Sequence, residues 1–345
     1  MHICKLTSVS NWGGYFVLLI LLFSACSDDA PKQVVCWGDS LTAPHCSGSI
    51  KGQVKKLLLG DSSYPGILEE ELGGEYGIVN CGVGGENILT IMARQGVFPM
   101  QLAHDVSIYE DKEREFSQYM GGKDVPAFVS SYNGKTVTPL LNGYDENNSA
   151  KVNPCMIVGQ EYMLSSESKN WMRNKNFIFQ YNYFISSEKS DSSYILPKGS
   201  VVETYAMRHL RNQYANVFFM GQNGGFDSVK ELIHQFKAMI DYSGSERFIV
   251  ISFHRPNVPI PTANRMTEME DSLSAEFGSH YINLRKYMME HALQDADLEP
   301  TQADRDSIAT GAVPPQMMVD GVHFTKTGYK LLGKLVARKF KELGY

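Results

Sequence analysis

The sequence has little of what marks a metalloprotein or a nucleic-acid binder. The six cysteines show no repeated Cys-x-x-Cys pair and no repeated Cys/His clustering, so a zinc site is not expected. The net charge is -6, and no basic face is evident apart from lysines near the C-terminus. Those read as the solvated face of one helix, where they complement its C-terminal dipole, so a nucleic-acid partner is not expected. There is no internal repeat and no low-complexity tract, which excludes solenoid and collagen-like architectures. The apolar run Tyr15–Phe23 is too short to span a bilayer comfortably.

What is present begins with that run. Lys5 supplies a positive n-region and Tyr15–Phe23 an apolar h-region, so an export signal fits better than a transmembrane anchor. The run closes at Leu22-Phe-Ser-Ala-Cys26, which resembles a bacterial lipoprotein signal. That resemblance implies cleavage over residues 1–25 and lipidation of Cys26, anchoring the protein in the cell envelope at the outer membrane, on its periplasmic or outer face. The alternative is an ordinary signal peptide with an incidental cysteine. Residues 26–32, including Ser27-Asp-Asp29, form a polar tether, and the folded body occupies 33–345. Cleavage removes Lys5, the formal charge of that segment, and moves the net charge from -6 to -7. Of the remaining cysteines, Cys36, Cys46, Cys81 and Cys155, an exported protein can oxidise any pair that meets. Cys36 and Cys81 lie at the ends of expected strands and read as buried thiols.

A chain of 345 residues holds one large domain or two modest ones. Val34–Trp37 and Tyr76–Asn80 read as buried strands, and Tyr64–Leu72 between them as a helix with proline in its first turn. A second unit follows. Asn216–Met220 is strand-like, and Val229, Leu232, Ile233, Phe236, Met239 and Ile240 recur at the helical period, with Ser228 and Glu231 as a capping box. Arg247–Phe253 and His280–Leu284 read as further strands, and 325–342 as a final amphipathic helix. The alternation predicts an α/β fold, with a mostly parallel sheet covered on both faces and ligands at the carboxyl ends of its strands. From about 121 to 210 the helical period fades and turn signals separate aromatic-rich runs such as Asn176–Phe184, which predicts a β-rich insertion.

Candidate chemistry falls just after the expected strands. Ser40 follows the first, Gly85 the second and Asn223 the third, while Asp320 and His323 immediately precede the last helix. Acyl transfer needs these parts: an imidazole to take the proton of a serine hydroxyl, and a carboxylate to fix the tautomer of that imidazole. Ser40, His323 and Asp320 can fill those roles. The backbone N–H groups of Ser40 and Gly85 and the amide of Asn223 can donate to an oxyanion. Each also has a plain reading as turn chemistry. The chain carries its own control in Gly60-Asp-Ser-Ser63, where Ser62 or Ser63 reads as an N-cap for the helix behind it. Arg94 and Gln95 can bind a polar substrate group, or Arg94 can form a surface salt bridge. His254 can line a pocket, and His45 reads as an exposed loop residue.

Taken in order, these blocks resemble the GDSL family, or SGNH-hydrolase superfamily. Gly38-Asp-Ser-Leu41 matches the first block, Asn80 to Gly85 the second, Gly221-Gln-Asn-Gly224 the third and Asp320-Gly-Val-His323 the last. Gly224 stands where the third block commonly has aspartate, which removes a usual orienting partner of Asn223. The resemblance implies a flavodoxin-like three-layer α/β/α sandwich, no cofactor or metal, and hydrolysis of carboxylic esters or thioesters. A carbohydrate O-acyl substrate, notably acetyl, is favoured by the acidic, tethered chain and by the Tyr, Phe and Asn content of the insertion. A lipase or acyl-thioesterase is the alternative. A non-catalytic lipoprotein binding glycan or protein on the same scaffold is the other class.

Overall fold

A computed structural model describes residues 31–43, 63–108, 118–121, 126–137, 150–173, 176–186, 193–254 and 263–345. Cys26 and the signal, His45, Cys46 and Ser62 lie outside them.

In chain order the first part comprises β1 (Lys32–Gly38), α1 (Tyr64–Leu72), β2 (Tyr76–Gly82) and α2 (Ile88–Gln95). A run of short and long strands follows: β3 (Gln101–Leu102), β4 (Val106–Ile108), β5 (Gln118–Gly121), β6 (Phe128–Tyr132), β7 (Lys135–Val137), β8 (Cys155–Ile157), β9 (Gln160–Arg173), β10 (Asn176–Ser186), β11 (Tyr194–Leu196) and β12 (Val202–Glu203). The chain then returns to alternation with α3 (Tyr205–His209), β13 (Ala215–Phe219), α4 (Val229–Ser243), β14 (Phe248–Ile251), α5 (Ala263–Phe277) and β15 (Tyr281–Ile282). It ends in α6 (Leu284–Glu290), α7 (Ala292–Asp295), α8 (Gln302–Ala309) and α9 (Lys326–Glu342).

Five of these strands form one sheet in the order β15-β14-β13-β1-β2, every pair parallel. Period-2 alternation explains why it is covered twice. Val34 and Cys36 of β1 join a core with α1 and α9, through residues such as Tyr64, Leu68, Leu332 and Phe340. Val35 and Trp37 point the other way, into a core with α2, α4 and α5 that includes Ile91, Phe236 and Leu273. The sheet order reverses at β1: the chain leaves it for β2 on one side and later enters β13 on the other. The carboxyl ends of β1 and β13 therefore flank a switch point, where open α/β sheets leave a crevice.

The strands outside this sheet pair antiparallel, as β12-β8-β9-β10-β5, β3-β6-β7 and β11-β4. They share a third core that includes Phe128, Ile157, Tyr162 and Leu196. The antiparallel region runs from Gln101 to Glu203, so it opens ahead of residue 121 and closes before 210, where Tyr205–His209 is helical.

The expected strand at His280–Leu284 is shorter than its apolar run. Asn283 accepts from the Lys286 N–H through its side chain and caps a helix that begins at Leu284. Cys36, Cys81 and Cys155 are buried free thiols, and burial pushes Cys81 and Cys155 up to about 12, far from the reactive range.

Candidate active site

Ser40 sits on a tight loop that the sequence builds around Asp39. The Asp39 carbonyl accepts from the N–H groups of Thr42 and Ala43, and its Oδ1 accepts from the Leu41 N–H at 2.9 Å. Leu41 and Thr42 are fully buried, which anchors the loop and leaves Ser40 partly exposed at its crest. The loop lies hard against the end of β2. Asn80 Nδ2 donates to the Thr42 carbonyl at 2.9 Å, and the Val83 N–H to the Gly38 carbonyl at 3.1 Å. Two glycines make this approach possible: a Cβ on Gly82 would stand 2.1 Å from the Ala43 nitrogen, and one on Gly38 2.0 Å from Thr42 Oγ1.

The last loop is equally well held. A bridge between Met318 and Phe324 closes it, the Val319 N–H donates to the His323 carbonyl, and Thr325 caps α9 by accepting from the Gly328 N–H. Phe324 is fully buried beneath, with its ring 4.7 Å from that of His254. Within this loop Asp320 Oδ1 accepts from the Val322 and His323 N–H groups at 2.7 Å each, and Oδ2 pairs with His323 Nδ1 at 2.9 Å. Burial raises the Asp320 carboxyl, but the hydrogen bonds from the His323 ring and the two backbone N–H groups outweigh it and hold the carboxyl below its ordinary value. The other ring nitrogen, His323 Nε2, lies 2.9 Å from Ser40 Oγ. Residues 283 positions apart thus meet as hydroxyl, imidazole and carboxylate in one hydrogen-bonded line.

The second and third blocks meet beside them. Val83 to Glu86 is a turn with Gly85 at φ 82°, a left-handed conformation that favours glycine. The Asn87 side chain then caps α2 by accepting from the Thr90 N–H, and the first N–H of that helix, on Ile88, donates to the Gly224 carbonyl. This joins the loop after β13 to the loop after β2. Asn223 Nδ2 donates to the Glu86 carbonyl at 2.9 Å and to Asp39 Oδ2 at 3.3 Å. With glycine at 224, Asp39 and Glu86 orient the amide.

Asp39 is a site residue that sequence reasoning passed over, although it stands within Gly-Asp-Ser. It is 1% exposed, and burial, reinforced by the charge of Glu86 and opposed by the Leu41 N–H, pushes its carboxyl up to about 7.

Arg94 and Gln95 take other partners than a substrate. Arg94 is fully buried, not at the surface. Its Nη2 donates to Glu86 Oε2 at 2.8 Å and to the Cys81 carbonyl, its Nη1 donates to the Ala150 carbonyl, and its plane lies over Trp37. Gln95 is buried against α4, donating to the Met239 carbonyl. His254 is buried after β14, against the residue that follows His323. Ser63 does occupy the N-cap position of α1, but its side chain accepts no capping hydrogen bond from the helix N–H groups. Among the described residues no cluster of three His, Cys, Asp or Glu could hold a metal ion.

No protein-family model matches the chain, and no curated protein matches it. Among solved structures, the native aryl esterase of M. smegmatis superposes with a TM-score of 0.37 at 12% identity, over 90% of this chain and 99% of that one. A likeness of that degree identifies no family.

Proposed function

We propose that the protein is a serine esterase of the SGNH type with a flavodoxin-like three-layer arrangement, a reading supported by the parallel strand order β15-β14-β13-β1-β2. The observation that carries this reading is the line from Ser40 Oγ through His323 to Asp320, with both links at 2.9 Å. In the proposed reaction His323 Nε2 takes the Ser40 proton as Oγ attacks the acyl carbon. It then returns that proton to the departing alkoxide, and water, activated the same way, releases the acyl group and restores the serine. Asp320 accepts from Nδ1–H, keeps Nε2 the basic nitrogen, and stabilises the imidazolium. The oxyanion takes the N–H groups of Ser40 and Gly85 and the Asn223 amide hydrogen now directed at Asp39, the longer of its two bonds.

The substrate we favour is an O-acyl group, notably acetyl, on a carbohydrate, and the place of action the cell envelope, reached by export and anchored at Cys26. Support comes from the sequence: a lipoprotein-like signal and an acidic body. The test is turnover by the purified full chain in detergent of acetylated glycans, p-nitrophenyl acetate and long-chain esters, beside Ser40→Ala. Loss of turnover in a folded Ser40→Ala supports the nucleophile, and unchanged turnover removes it. Preference for long chains would move the reading to a lipase, and activity on none to a binding lipoprotein.

A further inference from the structure

The turn that carries Gly85 is poorly held by its own backbone. It contains two adjacent glycines, and its closing bond, from the Glu86 N–H to the Val83 carbonyl, is a long 3.3 Å. Yet both the Gly85 N–H and the Asn223 amide depend on where Glu86 stands, since Gly85 precedes it and Asn223 Nδ2 donates to its carbonyl. Something else must fix Glu86.

Its side chain does so. Glu86 and Arg94 form a salt bridge with both side chains 0% exposed, and Arg94 Nε and Nη2 both reach the carboxylate. The same guanidinium holds the Cys81 carbonyl at the end of β2, rests on Trp37 of β1, and reaches the Ala150 carbonyl ahead of β8. The Arg94 carbonyl in turn accepts from Thr204 Oγ1. One cation therefore ties the turn to two strands of the parallel sheet and to the segment ahead of β8 within the antiparallel region, while the backbone carbonyl of the same residue holds Thr204, just past the end of that region. A buried ion pair is a weak source of stability, because desolvating both ions cancels most of their attraction, but its fixed fork geometry restricts position.

We infer that Glu86 and Arg94 are positioning residues for the oxyanion site, setting the Gly85 turn and the Asn223 amide without touching substrate. The inference rests on the esterase reading, and it separates two quantities. Misplaced donors lose grip on the tetrahedral species and leave ground-state binding nearly intact.

The experiment uses the full chain in detergent, with Glu86→Gln and the double variant Glu86→Leu/Arg94→Met, which replaces the pair by apolar groups and so leaves no buried charge unpaired. Circular dichroism and thermal melting establish folding. The readouts are kcat and KM for p-nitrophenyl acetate, and the Ki of phenylboronic acid, which mimics the tetrahedral species. Expected for the folded double variant is a kcat lower by about 10- to 100-fold, a boronate Ki raised by a similar factor, and KM within about twofold, since one lost oxyanion donor is worth about 10²–10³ in kcat. Glu86→Gln, which keeps an acceptor for Arg94, falls between the double variant and wild type. A folded double variant with kcat and Ki within about twofold of wild type overturns the inference while leaving the esterase standing. A wild-type chain that neither turns over esters nor binds the boronate overturns both.

Discussion

Asp320 holds His323 twice, through Oδ2 to ring Nδ1 at 2.9 Å and through Oδ1 to the backbone N–H of the same residue at 2.7 Å. The backbone bonds build the loop and the side-chain bond orients the ring, so the two tasks can be separated. Asp320→Asn keeps an acceptor for the Val322 and His323 N–H groups but removes the charge that favours Nδ1–H. The melting temperature should hold within a few degrees while kcat falls by about 10³-fold or more, with KM little changed. Steady-state kinetics on a short activated ester decide it, and a kcat within tenfold of wild type would remove Asp320 from the mechanism.

Asp39 and Asp320 should pull stability in opposite directions with pH. The Asp39 carboxyl, at about 7 in the folded chain against an ordinary 3.8, keeps a proton that the unfolded chain gives up. Its contribution is fully present below the unfolded value and is lost as pH rises through about 7, a swing of no more than about 4 kcal/mol. Asp320, held below its ordinary value, contributes above that value and loses its contribution as pH falls through the folded one; its side chain is 41% exposed, so that contribution is small. Asp39→Asn, which cannot titrate, should therefore melt higher than wild type at pH 8.5 by a wider margin than at pH 5. Equal margins at the two pH values would show that Asp39 is ionised throughout.

How much of this was legible in the sequence depended on whether a residue's role was local. Val34–Trp37 and Asn216–Met220 read as strands because a strand buried on both faces is a plain apolar run, and the helices after Ser228 and Thr325 read from their stripes. The helix Ile88–Gln95 went unread although Ile88, Leu89, Ile91 and Met92 fall at helical spacing, because it is only eight residues long and its polar residues Thr90, Arg94 and Gln95 are buried with the apolar ones. Arg94 looked like a surface or substrate-binding cation for the same reason: a lone arginine does not disclose that its carboxylate partner, eight residues earlier, is buried with it. Ser40, Asp320 and His323 were legible as candidates that the fold brings into one hydrogen-bonded line, because a hydroxyl, a carboxylate and an imidazole declare their chemistry by residue type. Asp39 was not, because its work is done through what it accepts, the Leu41 N–H and the Asn223 amide.

The close approach of β2 to the Ser40 loop makes Gly82 a test of whether that loop's position governs turnover. An alanine methyl there meets the Ala43 nitrogen and the Thr42 carbonyl carbon, both backbone, so the loop must move as a unit. Gly82→Ala should cost about 1–3 kcal/mol of stability and lower kcat by more than tenfold at temperatures where the protein remains folded. Gly74→Ala, with nothing within 4 Å of the new methyl, serves as the control and should leave kcat unchanged. A Gly82→Ala variant that melts lower but keeps the wild-type turnover would mean the loop tolerates displacement.

The proposed anchor makes a separable claim, because among the described residues no helix is long and apolar enough to cross a membrane. If the chain is held at a membrane through lipid on Cys26, that attachment should survive high salt and yield to detergent, since acyl chains bind by burying methylenes at about 0.8 kcal/mol each and salt does not weaken that term. Cys26→Ala, with the preceding signal intact, should move the protein from the membrane fraction of a bacterial host to the soluble one without changing turnover per molecule. Retention of the variant in the membrane fraction after a salt wash would instead assign the attachment to an uncleaved Tyr15–Phe23 segment or to the folded body, and the lipid would have no part in it.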